Sequence, residues 1–153
     1  MFQYRRKTVF LARVCFAAYL CFLIYILFFM EARANTYREY NLIPFKSIRM
    51  FFEYYFVHHD FSFSYWFLNI FGNIFLLLPF GFLLPIIIQR RLSLLRVLLA
   101  SFCLTAAIEL TQFYTGLGEM DIDDVLLNVL GAAVGFGLER CFSAWLVRHR
   151  SVS

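Results

Sequence analysis

Four long apolar runs divide this chain and limit what it can fold into. They cover Thr8 to Phe29, about Trp66 to Ile88, Leu94 to Tyr114 and about Val125 to Trp145. A helix of about 20 residues crosses about 30 Å of hydrocarbon, and lipid leaves the backbone only helices or closed barrels. Barrel strands would alternate apolar and polar residues, whereas these runs are continuous. The sequence therefore predicts an all-α integral membrane bundle of four helices.

Composition supports the same class. Hydrophobic residues make up 62% of the chain, against about 45–50% in soluble domains, which excludes an ordinary soluble protein. A length of 153 residues predicts one domain over residues 1–153. We expect membrane components as partners and no nucleic acid.

Basic residues next to the runs predict the orientation, because cytoplasmic loops are enriched in Lys and Arg. Three segments carry them without acidic neighbours in excess: Arg5-Arg6-Lys7, Arg90-Arg91, and the C-terminal Arg140, Arg148 and Arg150. We expect both termini and the second connection to be cytoplasmic. The connections at about 30–65 and 115–124 then face outward.

The start of the chain imitates a signal peptide, with basic residues, an apolar run and Ala32-Arg33-Ala34 as a small-x-small site. The first run is longer than the about 7–15 residues of a signal-peptide core, and Arg13 interrupts it. We therefore expect an uncleaved membrane anchor.

Cysteine and histidine residues show no metal-ligand spacing. Cys15, Cys21, Cys103 and Cys141 fall within or at the ends of the runs, where free Cys behaves as a small apolar residue, so we expect no disulfide. The His58-His59 pair is interpreted as a polar patch at the membrane interface. The sequence leaves any cofactor unknown.

The first outward connection is apolar for a loop. Asn41-Leu42-Ile43-Pro44-Phe45 is followed by further apolar residues, so we expect the segment to fold back onto the membrane surface or onto the helix bundle. The aromatic residues between Phe51 and Trp66 are typical of an interfacial belt.

The second run carries two asparagines on one helix face, Asn69 and Asn73, because they are four residues apart. That face should look into the bundle. Pro79 and Pro85 each remove a backbone hydrogen bond and predict a kinked helix. The Gly pair in this run is interpreted as a packing feature that lets a neighbouring helix come close: Gly72 and Gly81.

Glu109 lies inside the third run, roughly 8 Å from its predicted outer end. Gln112 is on the same side of the helix and shallower. A buried carboxyl must be paired, hydrated or protonated. Two interpretations remain open: a proton donor or acceptor, and an interhelical hydrogen bond.

The acidic segment before the fourth run holds four of the ten acidic residues of the chain, within residues 119–124. Asp121 and Asp124 resemble the capped start of a helix, where the helix dipole favours a carboxylate. Glu119 and Asp123 are interpreted as ordinary solvated loop acids. One helical stripe then continues downward and should face another helix: Asp124, Asn128, Gly131 and Gly135.

These polar residues fall at similar depths below the predicted outer surface. Asn73, Glu109 and Asn128 converge on the outer half of the bundle, with Asp121 and Asp124 above them. We expect an outward-facing polar pocket under the apolar first loop.

Four ordered motifs give the chain a resemblance to the VanZ-like membrane proteins. They are Asn41 to Phe45; Gly72-Asn73 with Pro79 and Gly81; Glu109-x-x-Gln112; and Asp121-x-x-Asp124-x-x-x-Asn128-x-x-Gly131. Glu119 stands where such proteins often have an Arg after the Gly. The resemblance implies a protein of the bacterial cytoplasmic membrane and a link to low-level resistance to the glycopeptide teicoplanin.

Two hypotheses follow for the function. In the first, an enzyme acts on a lipid or lipid-linked envelope precursor, with Glu109 as general acid or base and with Asp121 and Asp124 holding a divalent cation such as Mg²⁺ or positioning the substrate. In the second, the same pocket binds a lipid, an antibiotic or a partner protein without catalysis. The expected binding side chains are Asn41, Asn73, Gln112 and Asn128. The oligomeric state is left open.

Overall fold

The computed structural model describes residues 4–29, 40–53, 56 and 63–150. Its elements, in chain order, are α1 (Arg6–Phe29), β1 (Tyr40–Asn41), α2 (Lys46–Glu53), α3 (Phe63–Ile88), α4 (Leu94–Thr115), β2 (Met120–Asp121) and α5 (Ile122–Arg150). Within this described part, α1, α3, α4 and α5 are long and apolar enough to cross a membrane. The predicted all-α bundle of four membrane helices is confirmed.

Local chemistry sets the ends of the helices. The Ser93 side chain accepts from the backbone N–H of Arg96 at the start of α4, and Gly116 ends that helix in the left-handed conformation at φ 70°. An Asp121 carboxylate oxygen accepts from the N–H of Asp123 at 2.8 Å, which caps the start of α5. The predicted Asp121 cap is confirmed, and α5 begins three residues before the predicted start at Val125.

Helices α3 and α5 pack backbone against backbone. A Cβ atom added to Gly81 would overlap the carbonyl oxygen of Ala132, and one added to Gly131 or Gly135 would overlap a carbonyl oxygen of α3. The stripe on α5 therefore faces another helix, as predicted, and that helix is α3. The packing interpretation is right for Gly81 and wrong for Gly72, where an added Cβ would meet no atom of the described residues within 4 Å.

The buried apolar residues join all four long helices. One cluster contains Leu23, Leu77, Phe80, Val97, Ile108, Ala132 and Phe136. Many large apolar side chains on the outer faces stay exposed, such as Phe10 at 70%. In water these faces would be unfavourable, whereas in lipid they need no partner. α3 is one helix although Pro79 and Pro85 lie inside it.

The first connection returns to the bundle rather than staying apart from it. Tyr40 pairs with Met120 and Asn41 with Asp121 in a short parallel ladder, so the segment before α2 lies against the start of α5. Three of the sequence predictions concern residues wholly or partly outside the described part: Ala32-Arg33-Ala34, the His58-His59 pair, and half of the belt between Phe51 and Trp66. The four cysteines carry free thiols on exposed helix surfaces.

Candidate functional site at the acidic end

The acidic end is defined here as the end of the bundle that holds the end of α4, the start of α5 and residues 40–53. α4 reaches it with a buried polar stripe at one-turn spacing: Ser101, Thr105, Glu109 and Gln112. Glu109 is only 4% exposed, and its Oε2 atom accepts from the backbone N–H of Asp121 at 3.0 Å. This carboxyl is therefore held by a hydrogen bond that joins α4 to the start of α5.

Asp121 connects three parts of the chain. Its Oδ1 atom accepts from Asn41 Nδ2 at 3.0 Å as well as from the Asp123 N–H. Its Oδ2 atom accepts from Ser47 Oγ at 3.1 Å. Together with the Glu109 contact to its own N–H, Asp121 joins the first connection, α4 and α5 at one point.

The interpretation of Asp123 as a solvated loop acid is wrong. Its side chain has 0% exposure and accepts from the backbone N–H groups of Phe45 at 2.5 Å and Ser47 at 2.8 Å. Those groups lie at the start of α2, where N–H groups have no partner within the helix and the helix dipole favours a negative charge. The carboxylate also holds Phe45, whose φ of 64° is uncommon for a residue with a Cβ.

Asp124 faces α3 instead of capping α5. Its Oδ1 atom accepts from Asn73 Nδ2 at 2.5 Å, and the same amide group also donates to Asn69 Oδ1 at 3.4 Å. The predicted shared face of Asn69 and Asn73 is confirmed. Asp124 lies in the first turn of α5, as predicted for a carboxylate at the start of this helix, while Asp121 occupies the cap position and the Asp124 side chain contacts α3.

Asn128 lies one turn deeper along α5. It is 2% exposed, and its Nδ2 atom donates to Thr105 Oγ1 at 3.0 Å. Its Oδ1 atom is buried and has no hydrogen-bond partner among the described residues. A buried acceptor without a partner is costly, and such groups need an explanation.

The structure brings the predicted side chains together in depth order along α5. Asn41, Glu109 and Asp121 meet at the top, Asn73 and Asp124 come next, and Asn128 is deepest. The predicted Gln112 is also buried, and its side chain packs below Gly118. No three His, Cys, Asp or Glu side chains in the described part of the chain converge as metal ligands.

Sequence reasoning missed two residues of this cluster, Ser47 and Thr105. The signal for Thr105 was present, because it lies four residues before Glu109 and therefore on the same helix face. Ser47 had no local signal, since its partner Asp121 is 74 positions away.

Comparison with known families gives one match. The VanZ/LLP1 family model matches residues 16–143, which is more than four fifths of the chain. No curated protein and no solved structure matches. The matched range contains every polar residue of the acidic end described above, all of α3 and α4, and the greater part of α1 and α5. The chain belongs to the VanZ/LLP1 family.

Proposed function

We propose that this multi-pass membrane protein contributes to glycopeptide (teicoplanin) resistance by binding or modifying the polar part of a membrane lipid or lipid-linked envelope precursor at its acidic end. In this proposal the acidic end faces outward across the bacterial cytoplasmic membrane. Glu109 is the group that exchanges a proton with the ligand, and the amides of Asn73 and Asn128 orient it.

The observation that carries the proposal is the carboxamide oxygen of Asn128, which is buried and has no hydrogen-bond partner within the described ranges. It lies one turn below Asp124 on the same face of α5, where a ligand hydroxyl or amine could supply the missing donor. Glu109 is about 9 Å from the end of α4 at 1.5 Å per residue, which is a depth that a headgroup reaches. Oxygen and amide groups at successive depths along this end of α5 supply binding contacts for such a polar ligand.

A non-catalytic binding or assembly role is the second candidate, and a specific observation favours it. Asp121 and Asp123 accept from backbone N–H groups of their own chain, and Glu109 does the same. Carboxylates used in this way organise the protein. In this candidate Glu109, Asp121 and Asp123 therefore position the binding surface and take no part in catalysis.

The first experiment tests the site in cells. Wild type, Glu109→Gln and Asp124→Asn are compared at equal membrane abundance for teicoplanin sensitivity and for the lipid composition of the envelope. The proposal expects both variants to change both readouts. Glu119→Gln is the matched control, because Glu119 is an exposed acid of the same segment. If neither site variant differs from this control, the proposed site is wrong.

A second experiment separates the two candidates. The purified protein is incubated with membrane lipids and Mg²⁺, and product is assayed by mass spectrometry. Turnover that Glu109→Gln abolishes supports an enzyme. Saturable binding without product, weakened in Asn128→Ala, supports the binder.

The orientation is tested by labelling. A cysteine introduced as Glu119→Cys, with the native cysteines replaced by Ser, is exposed to a membrane-impermeant maleimide in intact cells. Labelling from outside is expected. Labelling that occurs only in inverted vesicles would overturn the outward placement of the acidic end.

A further inference from the structure

A second polar region lies at the opposite end of the bundle, called the basic end here. A cavity of about 610 Å³ opens between the end of α3, the turn after it and the last three turns of α5. Its walls include four arginines, one tyrosine and one glutamate: Tyr4, Arg90, Arg91, Glu139, Arg140 and Arg148. Neither the family match nor the polar cluster at the acidic end accounts for this cavity.

The arginines of the cavity are held by the fold to different degrees. Arg140 Nη2 donates to the Leu92 carbonyl oxygen at 2.5 Å, and its guanidinium lies 4.6 Å from the centre of the Phe136 ring. Arg90 and Arg91 are exposed on the turn after α3, which Gln89 enters with a φ of 54°. The cavity therefore combines one fixed cation with exposed ones.

Glu139 is a buried carboxylate among these cations. It is 2% exposed, and Tyr4 donates its hydroxyl to Oε1 at 2.7 Å. The Oε2 atom has Arg140 Nε at 3.7 Å but no hydrogen-bond partner in the described part of the chain. Burial and the hydrogen bond to Glu139 raise the pKa of Tyr4 well above its usual value, so Tyr4 stays a donor at physiological pH.

Charge next to membrane helices is expected from orientation alone. That rule explains exposed arginines, but it does not explain a cavity of this size or a buried carboxylate with an unused acceptor oxygen. A bound group that carries both a negative charge and a hydrogen-bond donor would account for both. Arginine is well suited to phosphate because its guanidinium donates two parallel hydrogen bonds.

We propose that this cavity binds a phosphodiester headgroup that also bears a hydroxyl or ammonium donor. Arg90, Arg91 and Arg148 hold the phosphate, and Glu139 Oε2 accepts from the donor. The cavity lies where the helices leave the hydrocarbon, and basic pockets between membrane helices are known to bind lipid headgroups. Phosphoglycerol and phosphoethanolamine headgroups meet both requirements, whereas phosphocholine has no N–H or O–H donor.

Native mass spectrometry of the full chain in detergent tests the proposal. Phosphatidylglycerol, phosphatidylethanolamine and phosphatidylcholine are added separately, and glycerol 3-phosphate is added as a competing soluble phosphate ester that also bears hydroxyl donors. Wild type should retain the first two lipids in preference to phosphatidylcholine. The double variant R90A/R91A should bind them about thirtyfold more weakly, from about 1 kcal/mol for each of the two basic residues near a headgroup.

Arg96→Ala is the matched control, because Arg96 is an exposed arginine at the start of α4 and does not line the cavity. The proposal is overturned if R90A/R91A binds like wild type, if Arg96→Ala weakens binding equally, or if phosphatidylcholine binds as well as the other lipids. Displacement of lipid by glycerol 3-phosphate supports a soluble ester as the source. Retention of lipid against it supports the membrane headgroup.

Glu139→Gln tests the second half of the site separately. It should reduce the preference for phosphatidylglycerol and phosphatidylethanolamine over phosphatidylcholine while the arginines still hold phosphate. An unchanged preference in this variant would contradict the role of Glu139. Should Glu139→Gln fail to fold, the R90A/R91A comparison still decides the proposal, because those side chains are exposed.

Discussion

Both ends of α5 bury a carboxylate, and the two are satisfied differently. Asp123, at the acidic end, has 0% exposure and receives two backbone N–H groups from the start of α2. Glu139, at the basic end, is 2% exposed and receives one tyrosine hydroxyl, while its second oxygen has no hydrogen-bond partner among the described residues. Both oxygens of Asp123 accept backbone hydrogen bonds, whereas Glu139 has one hydrogen bond and an ion-pair contact with Arg140 at 3.7 Å.

The hydrogen-bond partners of a buried carboxylate indicate its role. A carboxylate that backbone N–H groups saturate fixes the position of the segment that supplies them, and α2 is that segment here. A carboxylate with an unused acceptor oxygen beside a cavity has capacity left for another molecule. Burial alone therefore does not distinguish an anchoring acid from a binding one, whereas its hydrogen-bond partners do.

Among these predictions, replacing Asp123 should destabilise the fold most, and it distinguishes Asp123 from Glu139. Asp123→Ala leaves two N–H groups of α2 without a partner and should destabilise the fold by about 4 kcal/mol, from roughly 1–3 kcal/mol per unsatisfied group. The measurement is the midpoint of thermal unfolding in detergent, together with protease cleavage at the first connection. Glu119→Ala should leave both unchanged. If Asp123→Ala unfolds no earlier than Glu139→Gln, the contrast between the two ends is wrong.

A second prediction tests the close contact between α3 and α5. Gly131→Ala places a methyl group against the carbonyl oxygen of Ile74 and should cost about 2 kcal/mol through overpacking. Gly137→Ala is the control on the same helix, because an added Cβ there meets no atom within 4 Å. Thermal unfolding of both variants checks the difference. Equal unfolding midpoints for the two variants would contradict the close contact of the helices at Gly131.

A smaller effect is expected at the basic end. Tyr4→Phe removes one hydrogen bond to a charged carboxylate and should cost about 1.5 kcal/mol. The loss is confined to the contact between residue 4 and α5, so the start of α2 should keep its protection from proteolysis. A variant that also exposes the first connection would mean that the two ends are coupled.

The smallest expected effect is on the pH dependence of the stability of the fold. The pKa of Tyr4 is raised in the folded protein by burial and by Glu139, so the folded state keeps this proton more tightly than the unfolded chain does. The stabilisation is fully present below the usual tyrosine pKa of about 10 and is lost as pH rises above it. Thermal midpoints measured upward from pH 9 should fall more steeply in wild type than in Tyr4→Phe. Parallel curves would contradict this assignment.

Some residues of the candidate site could be predicted from the sequence, because membrane helices make polar side chains conspicuous. Glu109 and Asn128 stand out inside apolar runs, and helical spacing places each on a defined face at a defined depth. The Asp121 cap was also readable, since it precedes a helix start. Gly72 and Gly81 could not be told apart, because sequence does not say which face of α3 meets the backbone of α5.

Asp123 shows what sequence could not supply. Its two donors are the N–H groups of Phe45 and Ser47, which lie 78 and 76 positions away. Backbone donors leave no trace in residue identity, so an acid that they saturate is indistinguishable in sequence from an exposed neighbour such as Glu119. The same holds for Glu139 and Tyr4, which are 135 positions apart.

From the amino-acid sequence alone we could predict the four membrane helices and the relative depths of their polar residues. The resemblance to the family, which the comparison then identified, was also visible there. These properties depend on hydrophobic length and on helical periodicity, which are local. Tertiary structure alone decided which carboxylates are saturated by backbone donors, which glycines contact another helix and where the cavity at the basic end lies. Those properties depend on pairs of atoms from distant parts of the chain, and packing is what brings them together.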